Sequence, residues 1–207
     1  QALAIAPDLI ISDVMMPVMN GDQMVSELRQ WPKLADVPIV MLTSKTDDDL
    51  CVKLLKMGIQ HYLNKPFTVD GLLARVEKLL TERQRIREQL RESEARFQAT
   101  FEQAAVGIAI VSPEGRWLRV NHKLCEIIGY SHEDLLTMTF QDITYPDDLD
   151  EDLAYVRCVL SGEIATYSME KRYICKDSSV VWIGLTVALV RHPDNTPDYF
   201  ITIIQDI

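Results

Sequence analysis

The chain has 207 residues, 47% of them hydrophobic, which suits two small domains with ordinary cores better than one large one. Its 31 acidic side chains against 21 basic ones leave a net charge of −10, so a phosphate backbone is repelled and nucleic acid is not expected as a partner. The longest apolar run, 180–190, contains glycine and threonine and is too short to cross a bilayer, so no membrane attachment is expected. The four cysteines, Cys51, Cys125, Cys158 and Cys175, show no paired spacing. They read as small buried apolar residues in a reducing compartment, which places the chain in the cytoplasm. No signal peptide is visible and the first residue is not methionine, so a fragment is expected.

Pro7 precedes a continuously apolar run, Leu9 to Ile11, of the kind buried on both faces of a parallel sheet, and the strand ends at Asp13. Pro17 stops it, and Asn20-Gly21 predicts a tight turn before a helix from Asp22 to Trp31, closed by Pro32. The pattern repeats as a strand from Pro38 to Thr43, a helix from Asp47 to Met57 capped by Gly58, and a short strand from Ile59 to Asn64. Alternating strands and helices predict a right-handed parallel α/β sheet. Ligands and chemistry collect at the C-terminal strand ends of such sheets. Three ends offer a carboxylate, a hydroxyl and an ammonium: Asp13, Thr43 and Lys65. A single strand-end aspartate reads equally well as a turn residue; the three in order, with Met-Pro and Asn-Gly at fixed offsets, are more specific.

The segments Asp13-Val-Met-Met-Pro-Val-Met-Asn-Gly21, Thr43-Ser44 and Tyr62-Leu-Asn-Lys65-Pro66 resemble the receiver domain of bacterial response regulators, over Pro7 to about Leu80. The resemblance implies a flavodoxin-like fold in which Asp13 accepts a phosphoryl group from a histidine kinase or phosphotransfer protein. Met15 would give a backbone carbonyl to Mg²⁺, Thr43 and Tyr62 would be the switch pair, Lys65 would neutralise the phosphate, and the bond before Pro66 would be cis. The family also has an earlier strand ending in two acidic residues that complete the Mg²⁺ site, and nothing ahead of Gln1 matches it. Mg²⁺ wants near-octahedral oxygen ligands, so Asp13 and Met15 make an incomplete site. The intact protein is therefore expected to phosphorylate at Asp13, and this stretch alone is not. The first strand is also expected to expose an edge unless another copy covers it.

From Asp70 to about Phe101 there is no proline, and the only glycine, Gly71, lies at the start. Leu72, Val76, Leu79, Arg83, Ile86, Leu90, Ser93 and Phe97 alternate in steps of four and three, a heptad seam with two polar breaks. Its first part, Leu72 to Leu80, reads as packing on its own domain. From Gln84 to Phe97 the stripe is too narrow for a globular core face and predicts a dimeric coiled coil.

Beyond the helix the texture changes to a hairpin, Gly107 to Ser112 and Arg116 to Val120, around Pro113-Glu-Gly115. Short helices follow, one capped by Asn121 and ended by Gly129, another opened by Ser131-His-Glu-Asp134, with Phe140 to Ile143 too short to assign. Pro146 opens a longer helix, from about Asp147 to Leu160, stopped by Ser161-Gly162. Three strands close the chain: Tyr167, Met169, Tyr173 and Cys175 share one parity, as do Val181, Ile183, Leu185, Val187 and Leu189, and Tyr199 to Gln205 is last. This is an α+β domain with a five-stranded antiparallel sheet.

The segments Glu102 to Gly107, Val120 to Ser131, Glu170-Lys-Arg-Tyr173 with Trp182, and Gln205-Asp-Ile207 resemble a PAS sensor domain over about Glu94 to Ile207. Such domains bind haem, flavin, a small metabolite or nothing, so the ligand here stays open. Phe140-Gln-Asp-Ile143 stands where the flavin photosensors carry a reactive cysteine, and the long helix has no histidine for haem. His122 and His132 read as exposed polar residues. Trp117, Trp182 and Tyr173 read as core.

Three pieces are thus expected: the C-terminal part of a receiver domain, 1–80, a coiled-coil linker, 81–96, and a PAS domain, 97–207. The function implied is regulatory signal transduction without enzymatic activity of its own, homodimeric through the linker helix and PAS half, feeding a further output domain such as a histidine kinase or diguanylate cyclase. The alternatives are a dimerisation scaffold with an inactive receiver half and a phosphohydrolase using Asp13. The second is disfavoured because Met15 stands where such enzymes place another aspartate.

Overall fold

The computed structural model describes residues 7–44, 59 and 61–207. The chain divides into two compact units, Gln1–Glu92 and Ser93–Ile207. In the first, β1 (Ile10–Asp13), β2 (Ile39–Ser44) and β3 (His61–Lys65) form a parallel sheet in the order β1-β2-β3. Asp13 pairs with Leu42, Leu42 with Leu63, and Ser44 with Lys65, so the three strands end side by side. Helix α1 (Gly21–Arg29) lays Val25 against Val14, Ile39, Met41 and Ile59. The helix and glycine cap expected at Asp47–Gly58 lie outside the described residues.

Two local expectations are corrected. Helix α1 stops at Arg29, short of Trp31, because the residue before Pro32 is pushed out of the helical region. Asn20-Gly21 is not a tight turn; Asn20 is the extended N-cap of α1 and forms a capping box with Gln23. The left-handed residue is Val18, at φ 76°. The Met19 N–H donates to the Pro17 carbonyl across it at 3.0 Å, a positive-φ γ-turn that is costly for a β-branched residue.

Helix α2 runs unbroken over Val69–Glu102. Leu79 is buried and Leu72 and Val76 are half-buried, whereas Ile86, Leu90 and Phe97 are 57%, 59% and 48% exposed.

The second unit is a five-stranded antiparallel sheet in the order β5-β4-β8-β7-β6. Its strands are β4 (Gly107–Val111), β5 (Trp117–Val120), β6 (Thr166–Ile174), β7 (Val180–Arg191) and β8 (Pro197–Asp206). Four helices stand between β5 and β6: α3 (His122–Ile128), α4 (His132–Leu136), α5 (Phe140–Ile143) and α6 (Pro146–Ser161). The cap residues explain their lengths. Gly129 and Gly162 take left-handed φ of 76° and 82° to end α3 and α6, and Pro146 opens α6. Leu124, Ile128, Leu135, Ile143 and Val159 pack from the helices onto Ala109, Ile183 and Ile204 of the sheet. Trp117 and Tyr173 are core residues, but Trp182 is not: it is 49% exposed. It pairs with Arg172 across β6 and β7, and that guanidinium lies over its ring at 5.3 Å.

Candidate functional site

At the C-terminal edge of the parallel sheet, β1 delivers Asp13 and β3 delivers Lys65 on either side of β2. The Lys65 ammonium donates directly to Oδ2 of Asp13, while the Met15 N–H donates to Oδ1 at 3.3 Å. The hydrogen bond from Lys65 holds the Asp13 carboxyl below the usual carboxylate range, with a smaller contribution from the Met15 amide. The Asp13 side chain remains 35% exposed, so the carboxylate is open to solvent. Gly21 brings α1 close beneath this edge. A Cβ there would lie 2.2 Å from the Met41 methyl and 3.0 Å from the Asp13 carbonyl oxygen.

Thr43, next to the last residue of β2, lies between the two, but it is buried, and its hydroxyl donates to the Ser44 carbonyl at 3.4 Å. Tyr62 is half-buried against the core of the sheet. The Lys65–Pro66 peptide is cis. Asp13 and Lys65 are therefore in contact, Thr43 sits one residue along the neighbouring strand, and Tyr62 is held by packing. A Mg²⁺ ion needs about six oxygen ligands, commonly including one or two carboxylates. Among the described residues no cluster of three acidic, histidine or cysteine side chains exists, and at this edge Asp13 is the one carboxylate. The described residues do not by themselves make the metal site.

A second constellation lies inside the other unit and was missed from the sequence. Lys171 on β6 and Asp152 on α6 are 0% and 1% exposed and form an ion pair. The Lys171 ammonium also donates to the Thr144 hydroxyl at 3.0 Å, and the Tyr167 hydroxyl donates to Asp152 Oδ1 at 2.7 Å. The ammonium lies 4.6 Å from the Tyr173 ring centroid and 5.1 Å from that of Phe140. Burial pulls the Lys171 pKa down against the opposing pull of Asp152, and burial beside that carboxylate pushes the Tyr167 phenol up. These groups line a cavity of about 20 Å³, enough for one water, together with Trp117, whose buried indole N–H has no partner among the described residues. One signal was available: position 171 has the inward parity of Tyr167, Met169 and Tyr173. Next to it, Arg172 points outward, makes a two-pronged pair with Asp148 and stacks on Tyr145 at 4.0 Å.

A parallel sheet with an aspartate and a lysine meeting at its edge, followed by a five-stranded antiparallel sensor-type sheet, defines a modular signalling chain. Comparison with known proteins agrees. The response regulator receiver domain matches residues 2–77, and the PAS fold matches residues 118–204. The probable diguanylate cyclase DgcE of Escherichia coli is 42% identical over 175 residues, covering 84% of this chain and 16% of that protein. The sensor histidine kinase TmoS of Ectopseudomonas mendocina is 33% identical over 232 residues, covering 97% of this chain and 24% of that protein. The chain thus spans a quarter or less of these two relatives. The PAS domain of an HTR-like protein from Haloarcula marismortui superposes with a TM-score of 0.51 at 21% identity, covering 60% of this chain and 99% of that one.

The chain is a receiver domain followed by a PAS domain, an arrangement of two-component signalling proteins. Both domains are regulatory. Among the described residues no helix is long and apolar enough to cross a membrane.

Proposed function

We propose that this chain is the phospho-responsive regulatory part of a two-component protein, with Asp13 as phosphoacceptor. The observation that carries the reading is the Asp13–Lys65 contact at the open end of the parallel sheet. A carboxylate oxygen of Asp13 attacks the phosphorus of a phosphohistidine on a histidine kinase or phosphotransfer protein. The P–N bond breaks, the imidazole leaves with the electron pair and takes up a proton, and an acyl phosphate remains. Lys65 already bonds Oδ2 and can turn to the new phosphoryl oxygens, offsetting the added charge. Thr43 can reach those oxygens only if the end of β2 shifts, and that shift is the switch, with Tyr62 repacking behind it. Were Mg²⁺ bound at this edge, Asp13 and the Met15 carbonyl would be among the groups holding it, and it would supply further neutralisation of the phosphoryl charge.

The exposed part of the heptad seam, Ile86, Leu90 and Phe97, supports a homodimer through helix α2, continued by the PAS half. The signal would pass along α2 to the PAS domain and on to an output domain such as a kinase or cyclase. The PAS core as packed admits one water-sized group, which favours a sensor whose ligand is small or absent. The test is the full reading frame incubated with acetyl phosphate and Mg²⁺ and run on a phosphate-affinity gel. A shifted band that disappears in Asp13→Asn supports the reading; an unshifted wild type supports the scaffold alternative. Leu90→Lys should turn a sedimenting dimer into a monomer, and a dimer that persists removes the coiled-coil relay.

A further inference from the structure

The last turns of helix α2 and the first turn of α3 cap each other. Asn121 is 0% exposed, and its side-chain amide makes four hydrogen bonds, two in each direction. Its oxygen accepts from the Leu124 N–H at 3.0 Å, which is the N-cap of α3, and from the Ile108 N–H at 2.9 Å at the start of β4. Its NH₂ donates at 2.9 Å to the carbonyls of Phe101 and Val106. The Phe101 carbonyl belongs to the last turn of α2, where helix geometry leaves carbonyls without partners. In return, the Glu102 carboxylate at the end of α2 accepts from the His122 N–H at 3.1 Å, one of the free donors at the start of α3. The exchange is braced from outside. The Arg119 guanidinium lies 5.0 Å and 5.2 Å from the ring centroids of Phe97 and Phe101, and bonds Gln98, whose amide donates to the other Glu102 oxygen at 3.0 Å.

We propose that Asn121 is the joint that locks helix α2 to the PAS core, so that the helix cannot turn or slide without moving α3 and β4. The physical reason is saturation. Every donor and acceptor of a buried amide is used, one toward the incoming helix at Phe101, one toward the Val106 carbonyl in the segment that follows it, and two toward β4 and α3, so a displacement of the helix end strands a buried polar group. A greasy contact would let the helix slip; the directional bond to the Phe101 carbonyl, with the return bond from the His122 N–H to Glu102, resists it. The proposal rests on the relay reading above, and says where in the PAS half that relay ends.

The test is hydrogen exchange on the 207-residue chain, with no phosphodonor, so its outcome is independent of Asp13 chemistry. Asn121→Asp keeps the acceptor toward Ile108 and Leu124, and aspartate caps helices as well as asparagine. It exchanges the NH₂ that bonds the Phe101 and Val106 carbonyls for a second, ionisable oxygen set against those two acceptors. Amides of Ala99 to Gln103 should exchange at least tenfold faster, while those of Leu124 to Ile128 keep their protection. Equal loss in α2 and α3, or failure of this variant to fold, overturns the joint and makes Asn121 an ordinary core residue. Unchanged exchange in α2 also overturns it. A Glu102→Ala, Arg119→Ala double variant removes the outer brace and should speed exchange at the end of α2 severalfold; no change there would contradict the mutual capping.

Discussion

Two lysine–aspartate pairs of this chain show how environment sets the use of one interaction. Lys65 and Asp13 meet at a solvent-facing sheet edge, their side chains 43% and 35% exposed. Lys171 and Asp152 meet inside a core, 0% and 1% exposed, with the Thr144 and Tyr167 hydroxyls bonded to them. Water screens the first pair and competes for it, so it contributes little to stability and its carboxylate stays open to an incoming electrophile. The second has given up its water, so neither partner can leave without stranding the other's charge. The same two residue types serve as a replaceable contact in one unit and as a fixed tie between α6 and β6 in the other.

The largest expected effect breaks the buried pair. Asp152→Ala should destabilise the PAS unit by about 3–5 kcal/mol in chemical denaturation, because an ammonium is left alone in the core. Replacing both, as Asp152→Leu with Lys171→Met, should recover most of that loss. Next is Gly21→Ala, expected to cost about 1–3 kcal/mol in the receiver unit, since the new methyl collides with Met41 and the Asp13 backbone. Lys65→Gln should change stability by less than about 1 kcal/mol. Carboxyl-carbon NMR should nevertheless see the Asp13 pKa rise toward the ordinary value, because the largest cause of its depression is gone. A loss of stability from Lys65→Gln comparable with that from Asp152→Ala would erase the contrast between the pairs.

The smallest effect concerns acid. The Asp134 carboxyl is held at about 2 by hydrogen bonds from Lys176 and from Ser131, and Asp148 is held low by Arg172. Carboxylates depressed in the folded state stabilise fully above their unfolded pKa, near 4, and that contribution is lost as pH falls toward the folded value. Denaturation midpoints should therefore fall between about pH 4 and pH 2, with a shallower slope in Asp134→Asn.

Much of this was legible in the sequence. Runs of apolar residues ending in Asp13 and Thr43 gave parallel strands, and the alternation along β6 and β7 gave the antiparallel sheet. Asn121, Gly129, Pro146 and Gly162 marked the helix ends of the PAS half. What escaped was a matter of chemistry overriding type. Lys171 has the inward parity of its neighbours, but lysine is an exposed residue by habit, and only Asp152, distant in sequence and buried by α6, makes its burial tolerable. Trp182 erred the other way: its parity is outward, opposite to Ile183 and Leu185, and its size alone suggested core. Val18 could not be anticipated, since a β-branched residue at positive φ contradicts local preference. That conflict falls in the loop joining Asp13 to α1, where strain is expected if the loop moves with the site.

The most direct measurement is reductive trapping of the full reading frame after incubation with a phosphodonor and Mg²⁺. Borohydride converts an aspartyl phosphate to homoserine, and peptide mass mapping reads which aspartate has changed. The account predicts conversion at Asp13, none at the buried Asp152, and none anywhere in Asp13→Asn. Conversion at another aspartate, or an unmodified Asp13 in protein that binds Mg²⁺, would contradict it.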